Sequence, residues 1–302
     1  MAKKYDEKIG KVRWIHFQNP NGDDIAETAS FIKAHPLILK ELQGVSDRSK
    51  IENYGSYLFA VYHLHIYDIK EKKPRRTEVD ILASKETILT YTYETIEPVD
   101  QFTSDLAQKL DGKIQNASQI IYYLLQEINV YSLRQLRHVE EKVNAVGNRL
   151  FDHGNRYLLE DISYIKRDLL EFEITAASQK STLESLLTVG EEFYGSQSKI
   201  YFSDLMGSLS RVHYLLETLR VTVISYSETV SQVFQSETSE VMRRFSILGF
   251  LTFPLLLFTT IALQPTVEPT LFRTPADFWN DLLAVVGIVA ILAFIFRKKR
   301  WL

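Results

Sequence analysis

The chain has 302 residues, of which 45% are apolar and 24% charged, with a formal net charge of -3 and no cysteine. No basic stripe is available to follow a phosphate backbone, which argues against a nucleic-acid partner, and disulfides and thiolate metal sites are excluded. No phosphate loop, nucleophile elbow or carboxylate dyad occurs, so an enzyme is not expected.

Met1 to Gly10 carries Lys3, Asp6 and Glu7 without an apolar run, so a secretory signal is not expected there. Residues 12 to 92 read as a mixed α/β region. Val12–Phe17, Tyr57–Tyr67, Thr77–Leu82 and Thr87–Tyr93 are rich in Val, Ile, Tyr and Thr, as strands are. Ile25–Leu42 reads as a helical stretch interrupted near Pro36, and Lys70–Arg76 as a charged hairpin loop holding Pro74. His63 and His65 share a strand face at a spacing that can hold a metal. With no third ligand nearby, they read as packed or solvated instead.

After about residue 98 the pattern becomes helical, and Ile121–Leu150, Leu158–Leu187 and Lys199 onward show apolar positions three and four apart. Leu205, Leu209, Val212, Leu216, Leu219, Val223, Tyr226, Val230 and Val233 keep a strict 4-3 spacing, and Leu158, Ile162, Ile165, Leu169, Phe172 and Ala176 do the same. Sustained heptads mark seams that pack on other helices, within the chain or between subunits. No Gly or Pro interrupts Ser208–Leu248, so a helix from about Ser198 to Leu263, roughly 100 Å long, is expected and needs neighbours. At Glu237 and Glu240 the seam turns polar, as at a vestibule or a solvated face.

Phe245–Leu263 reads FSILGFLTFPLLLFTTIAL, about nineteen uncharged residues, enough to cross the hydrocarbon of a bilayer. Leu282–Phe296 is a shorter second span, extended by Phe278 and Trp279 on one side and Trp301 on the other, as interfacial aromatics would be. A pair of buried core helices would leave the closing Arg297-Lys298-Lys299-Arg300 run unexplained. Arg243, Arg244 and that run flank the spans, whereas the intervening loop carries Glu268, Asp277 and Asp281 against Arg273. The positive-inside rule then places both termini in the cytoplasm of a multi-pass plasma-membrane protein, with an acidic loop outside that concentrates cations. The glycosylation pattern Asn116-Ala117-Ser118 is discounted on that orientation.

Several strings, in order, resemble the CorA-type magnesium transporters: WIHFQNP at 14–20, HPLILKEL at 35–42, KIENYGSYLFAVYH at 50–63, YFSDLMGSL at 201–209, SETSEVMRRFSI at 236–247, the Phe253-Pro254 step and the closing FRKKRWL. The resemblance covers the whole chain and is gapless from Tyr201 to Leu302. It implies an α+β protein, a homopentamer with an N-terminal α/β cytoplasmic domain (1–98), a cytoplasmic helical hairpin region (99–195), a coiled-coil-like stalk helix (196–244) and a two-helix transmembrane domain (245–302).

It also implies a divalent-cation channel, with Mg²⁺ as the transported and the regulatory ion and no other cofactor. By position, the pore face is Ser239, Met242, Ser246, Gly249, Phe253, Leu256 and Thr260, with Phe245 where the family has a gating leucine. Met242, Phe253 and Leu256 make apolar rings that can stop a hydrated ion by dewetting. The regulatory metal residues carried over are Glu41, Asp204 and Glu228, with Lys40 replacing a second acidic residue. Carboxylates facing across a subunit interface repel unless a cation sits between them, which makes the assembly ion-sensitive.

One departure stands out. The family ends its first span with Gly-Met-Asn, whose Asn rings the outer mouth; here Leu263-Gln264-Pro265 occupies that place, and the acidic Met-Pro-Glu pattern is missing. Gln264 offers a carboxamide one position earlier, whereas Pro265 offers no N–H. The loss motivates a second reading: a non-conducting, membrane-anchored ion sensor or scaffold that kept the ion-responsive domain.

Overall fold

In the computed structural model, residues 3–68, 73–109, 114–150, 157–262 and 275–299 are described. They form an α+β chain with two compact units, Met1–Ser227 and Glu228–Leu302.

The first unit is built on a six-stranded sheet in the order β1-β2-β6-β5-β4-β3. Its strands are β1 (Lys3–Ile9), β2 (Val12–Gln18), β3 (Lys50–Asn53), β4 (Leu58–Asp68), β5 (Lys73–Ala83) and β6 (Thr87–Thr92). β2 and β6 pair in parallel, and the other neighbours are antiparallel. The inner strands are buried along nearly their whole length, as strands covered on both faces must be. One face packs Phe17, Phe59, Val61, Leu82, Leu89 and Tyr91 against α1 (Gly22–Phe31) and α2 (Pro36–Glu41). Of the longer helices that follow α3 (Glu97–Lys109), α4 (Ala117–Asn148) and α5 (Leu158–Tyr194) pack on β4.

Local chemistry sets these elements. Asn21 accepts from the amides of Asp23 and Asp24 while Asp24 accepts from the Asn21 amide, a capping box that starts α1. His35 caps α2, and Pro36 stands at a first-turn position where its missing N–H costs nothing. Asn116 caps α4 in a box with Gln119, which is the use the fold makes of the discounted glycosylation pattern. Gly10 joins β1 to β2 at φ +61, and a Cβ there would run into the Ile114 carbonyl oxygen, so this turn requires glycine.

The structure corrects the strand expectations in two ways. β1 and β3 were not predicted; both are sheet edges, and their charged sequences KKYDEKI and KIEN lack the apolar alternation of the interior. Pro74 lies in β5 opposite Tyr67 rather than in a loop. β5 pairs with β6 only over Asp80–Ala83, so at Pro74 one side of the strand has no strand partner among the described residues and the missing N–H is tolerated. Of the predicted charged loop, residues 70–72 lie outside the described residues.

The seam residues Leu158, Ile162, Ile165, Leu169, Phe172 and Ala176 of α5 are all buried, as are Leu205, Leu209, Val212, Leu216, Leu219 and Val223 of α6 (Ser196–Ala262). Within the first unit, then, the heptad of α6 is satisfied inside the chain. His213 Nε2 lies 3.0 Å from the Ala176 carbonyl oxygen and Arg220 lies 3.7 Å from Glu173, both across the α5–α6 seam.

The second unit contains the remainder of α6 and α7 (Pro275–Lys298). Both helices are long and apolar enough to cross a membrane, and their apolar windows are only 11% and 0% buried. A soluble core helix would be mostly buried, so the alternative of buried core helices fails. Phe245, Phe253, Leu283 and Phe294 are each about two-thirds exposed, a composition that suits lipid or subunit neighbours rather than water.

Candidate functional site

Every residue of the expected pore face lies on α6: Ser239, Met242, Phe245, Ser246, Gly249, Phe253, Leu256 and Thr260. Their alternating steps of three and four hold them to one stripe of the helix, with Phe245 on its flank. All of them are exposed in the single chain. The hydroxyls on this stripe turn back onto the helix: Ser246 donates to the Met242 carbonyl at 3.0 Å and Thr260 to the Leu256 carbonyl at 2.8 Å. Back-bonding of this kind satisfies a hydroxyl without water and leaves the stripe apolar in character. Pro254 interrupts the ladder inside the helix, freeing the carbonyl four residues earlier. Leu263, Gln264 and Pro265 lie outside the described residues, as do Glu268 and Arg273 of the acidic loop and the closing Arg300 and Trp301.

Two of the three expected regulatory residues, Glu41 and Asp204, have partners that sequence reasoning did not find. Glu41 ends α2 and accepts from Lys50 Nζ at 2.9 Å and from Ser46 Oγ at 3.2 Å. Lys50 also reaches Glu52 at 3.2 Å. Burial opposes the Lys50 charge, but the hydrogen bonds it donates to Glu41 and Glu52 outweigh it and raise the lysine pKa. A divalent ion arriving at Glu41 therefore competes with a resident ammonium. Asp204 accepts from the Tyr122 hydroxyl at 2.7 Å, and partial burial together with that carboxylate pushes the phenol up to about 12. Glu228 is exposed on α6. Among the described residues no group of three or more His, Asp or Glu side chains is arranged to hold a metal within one chain.

His63 and His65 are packed in the core rather than poised as ligands, at 2% and 3% exposure. The His65 ring lies 4.5 Å from that of Phe172, and burial lowers its pKa to about 4. His63 Nε2 is 3.1 Å from the Ser46 carbonyl oxygen and 3.2 Å from Glu78 Oε2. That glutamate oxygen nevertheless has no hydrogen-bond partner among the described residues, so the histidine's directed bond goes to Ser46. Glu78 in turn accepts from the Ser46 amide at 2.8 Å, pinning the turn after α2 that carries Glu41's partners.

Two residues along β5, Asp80 is fully buried and accepts from Tyr93 at 2.7 Å. Burial first, and the neighbouring Glu78 second, raise its pKa well above its ordinary value. The unfolded chain ionises this acid above pH ~4 while the folded chain resists doing so, so stability falls as pH rises from there toward the folded pKa. Asp80→Asn removes the penalty. In thermal unfolding of the full chain in detergent, its Tm advantage over the native protein is expected to widen between pH 4.5 and pH 8, by several degrees at about 2–4 °C per kcal/mol. A constant difference across that range would show that Asp80 does not titrate as described.

Residues 10–298 match the family model described as CorA-like Mg2+ transporter protein. The cobalt/magnesium transport protein CorA of Thermotoga maritima is 22% identical over 297 residues, covering 96% of this chain and 83% of that protein. The complete structure of the CorA magnesium transporter from Methanocaldococcus jannaschii superposes with a TM-score of 0.82 at 16% identity, over 97% of this chain and 92% of that one. The full-length CmaX protein gives 0.76 at 17% identity, over 96% and 89%.

Proposed function

The chain belongs to the family of CorA-like Mg2+ transporter proteins, and on that premise we propose that it forms a homopentameric channel for divalent cations, chiefly Mg²⁺. The observation that carries the proposal is the α6 stripe from Ser239 to Thr260, exposed in one chain and continuous along an apolar helix. Copies arranged about an axis give that stripe a shared lumen. In this reading residues 1–98 and 99–195 form the cytoplasmic domain, 196–244 the stalk and 245–302 the membrane domain, with both termini inside the cell. The membrane potential drives entry: a divalent ion gains about 4.6 kcal/mol per 100 mV, so no nucleotide hydrolysis is required. Met242, Phe245, Phe253 and Leu256 act as the dewetting gate, and Gln264 supplies the carboxamide of the outer mouth.

Glu41, Asp204 and Glu228 are the regulatory positions. Bound divalent ions bridge neighbouring subunits there and hold the closed state, and their loss releases it. The non-conducting reading is not favoured, because the two CorA proteins named above carry transport names and the chain covers 83% and 92% of their lengths.

The test is Mg²⁺ and Co²⁺ uptake by purified protein in proteoliposomes, alongside growth rescue of a Mg²⁺-requiring host. Flux is expected, and high internal Mg²⁺ should suppress it. Asp204→Asn should raise the suppressing concentration about tenfold, as expected for losing one carboxylate–cation contact. No flux of Mg²⁺, Co²⁺, Ni²⁺ or Zn²⁺ would overturn the channel, and an unchanged suppression curve would overturn the regulatory role of Asp204.

A further inference from the structure

The second unit keeps cations that its own carboxylates do not neutralise. Arg243 on α6 and Arg297 and Lys298 in the last turn of α7 are exposed, and none of the three forms an ion pair among the described residues. Their neighbour Arg244 differs, since it pairs with Glu240 at 2.7 Å.

Helix geometry brings these three together. Ile247 lies one turn beyond Arg243 on α6 and is 4% exposed, whereas the residues around it are open. Phe258, three turns further along the same face, has its ring 5.6 Å from that of Phe278 on α7. Two contacts on one face require α7 to run back along α6, with Arg243 on the flank of that seam. At 1.5 Å per residue, Arg243 stands about 23 Å along α6 from the Phe258–Phe278 contact, and Arg297 and Lys298 about 29 and 30 Å along α7. All three therefore reach the same end of the helix pair, within the roughly 6 Å depth of a headgroup layer.

Next to each cation is exposed apolar surface. On α7, Ile291, Phe294 and Lys298 follow one another at steps of three and four, and the first two are 61% and 68% exposed. On α6, Arg243 shares a face with Phe250, which is 66% exposed. A cation at the head of an apolar stripe, repeated on two adjacent helices, fits a molecule with an anionic head and hydrocarbon tails. A soluble anion gains nothing from the stripes, and a zwitterionic lipid brings its own cation to a place that already has three.

We propose that this end of the α6–α7 pair binds an anionic phospholipid, with its phosphate on Arg243, Arg297 and Lys298 and its acyl chains along Phe250, Ile291 and Phe294. Guanidinium groups grip phosphate oxygens in two-pronged fashion, and each juxtamembrane Lys or Arg adds about fivefold in affinity for anionic lipid. The proposal rests on the two helices spanning a bilayer and is independent of whether the protein conducts ions.

The experiment is thermal unfolding of the full-length protein in a neutral maltoside detergent, titrated with palmitoyl-oleoyl phosphatidylglycerol or with the matching phosphatidylcholine. Phosphatidylglycerol is expected to raise Tm by about 3 °C or more at saturation, phosphatidylcholine by much less, and added NaCl should weaken the difference. Arg243→Gln, Arg297→Gln and Lys298→Gln should each raise the half-saturating phosphatidylglycerol concentration about fivefold, and the triple variant should lose the preference. Arg211→Gln, exposed on α6 in the first unit, should respond as the native chain does. Equal responses to the two lipids, or a triple variant that keeps the native preference, would overturn the proposal. So would a triple variant whose Tm falls by the same amount without lipid as with it, because the cations would then be held by carboxylates of a neighbouring copy.

Discussion

Gly249→Leu is expected to abolish divalent-cation uptake while leaving the protein folded. Gly249 sits on the α6 stripe between Ser246 and Phe253, and a Cβ built there meets nothing within 4 Å in its own chain. Glycine inside a helix is less favourable than a residue with a side chain by roughly 0.5–1 kcal/mol, so leucine adds helix stability rather than removing it. If the stripe faces a shared axis, each subunit contributes an isobutyl group to the same level of the lumen. The space that glycine leaves for a hydrated ion is then filled, and Mg²⁺, which dehydrates reluctantly, cannot shed its water to pass. Uptake in proteoliposomes should fall at least about tenfold, with Tm unchanged or higher. Gly287→Leu is the control: it lies on α7 and is equally uncrowded, so its flux should match that of the native protein. Native flux in Gly249→Leu together with loss in Gly287→Leu would move the pore lining from α6 to α7.

Phe202→Ala is expected to destabilise the first unit strongly. Phe202 is fully buried near the start of α6, and a Cβ built on Gly190 of α5 would run into its ring. The ring therefore fills a notch that glycine leaves open. The turn between the two helices is fixed beside it: Gly195 takes φ +89, and Ser198 Oγ donates to the carbonyls of Gly195 at 2.7 Å and Gly190 at 3.1 Å. With its backbone held on both sides, the notch has little freedom to collapse around an alanine. Removing a buried phenylalanine costs about 3–5 kcal/mol, which in a unit of this size lowers Tm by about 10 °C. A fall of less than about 2 °C in thermal unfolding of the full chain would mean that the notch closes on itself.

The elements legible in the sequence were those whose character is repeated along the chain. β2, β4 and β6 are rich in Val, Ile, Tyr and Thr because they are covered on both faces, and α4, α5 and α6 show apolar steps of three and four. β1 escaped because an edge strand benefits from charges: Lys4 pairs with Glu27 and Arg13 with Asp6 along that side of the sheet. Pro74 misled for a related reason, since a proline looks like a turn wherever the lack of a second neighbouring strand cannot be seen.

Of the candidate site, the α6 stripe came from the resemblance to the family, and only its steps of three and four along one helix are local to the sequence. The partners of the regulatory carboxylates are not. Tyr122 and Asp204 are 82 residues apart, and only the packing of α4 beside α6 brings the hydroxyl onto the carboxylate. Lys50 reaches Glu41 because the turn between them folds back under Ser46, held by Glu78 from the far side of the sequence.

By itself, then, the sequence determined the two apolar spans, the basic flanks and the heptad seam. Helix period, span length and charge are sums over adjacent residues, and no distant contact can change them. Tertiary structure alone decided that the α6 seam closes on its own chain within the first unit, that Glu41 already holds an ammonium, and that Glu78 and Asp80 are buried together. Each of these depends on which groups from remote segments displace water from one another, and that is settled only when the sheet and helices pack.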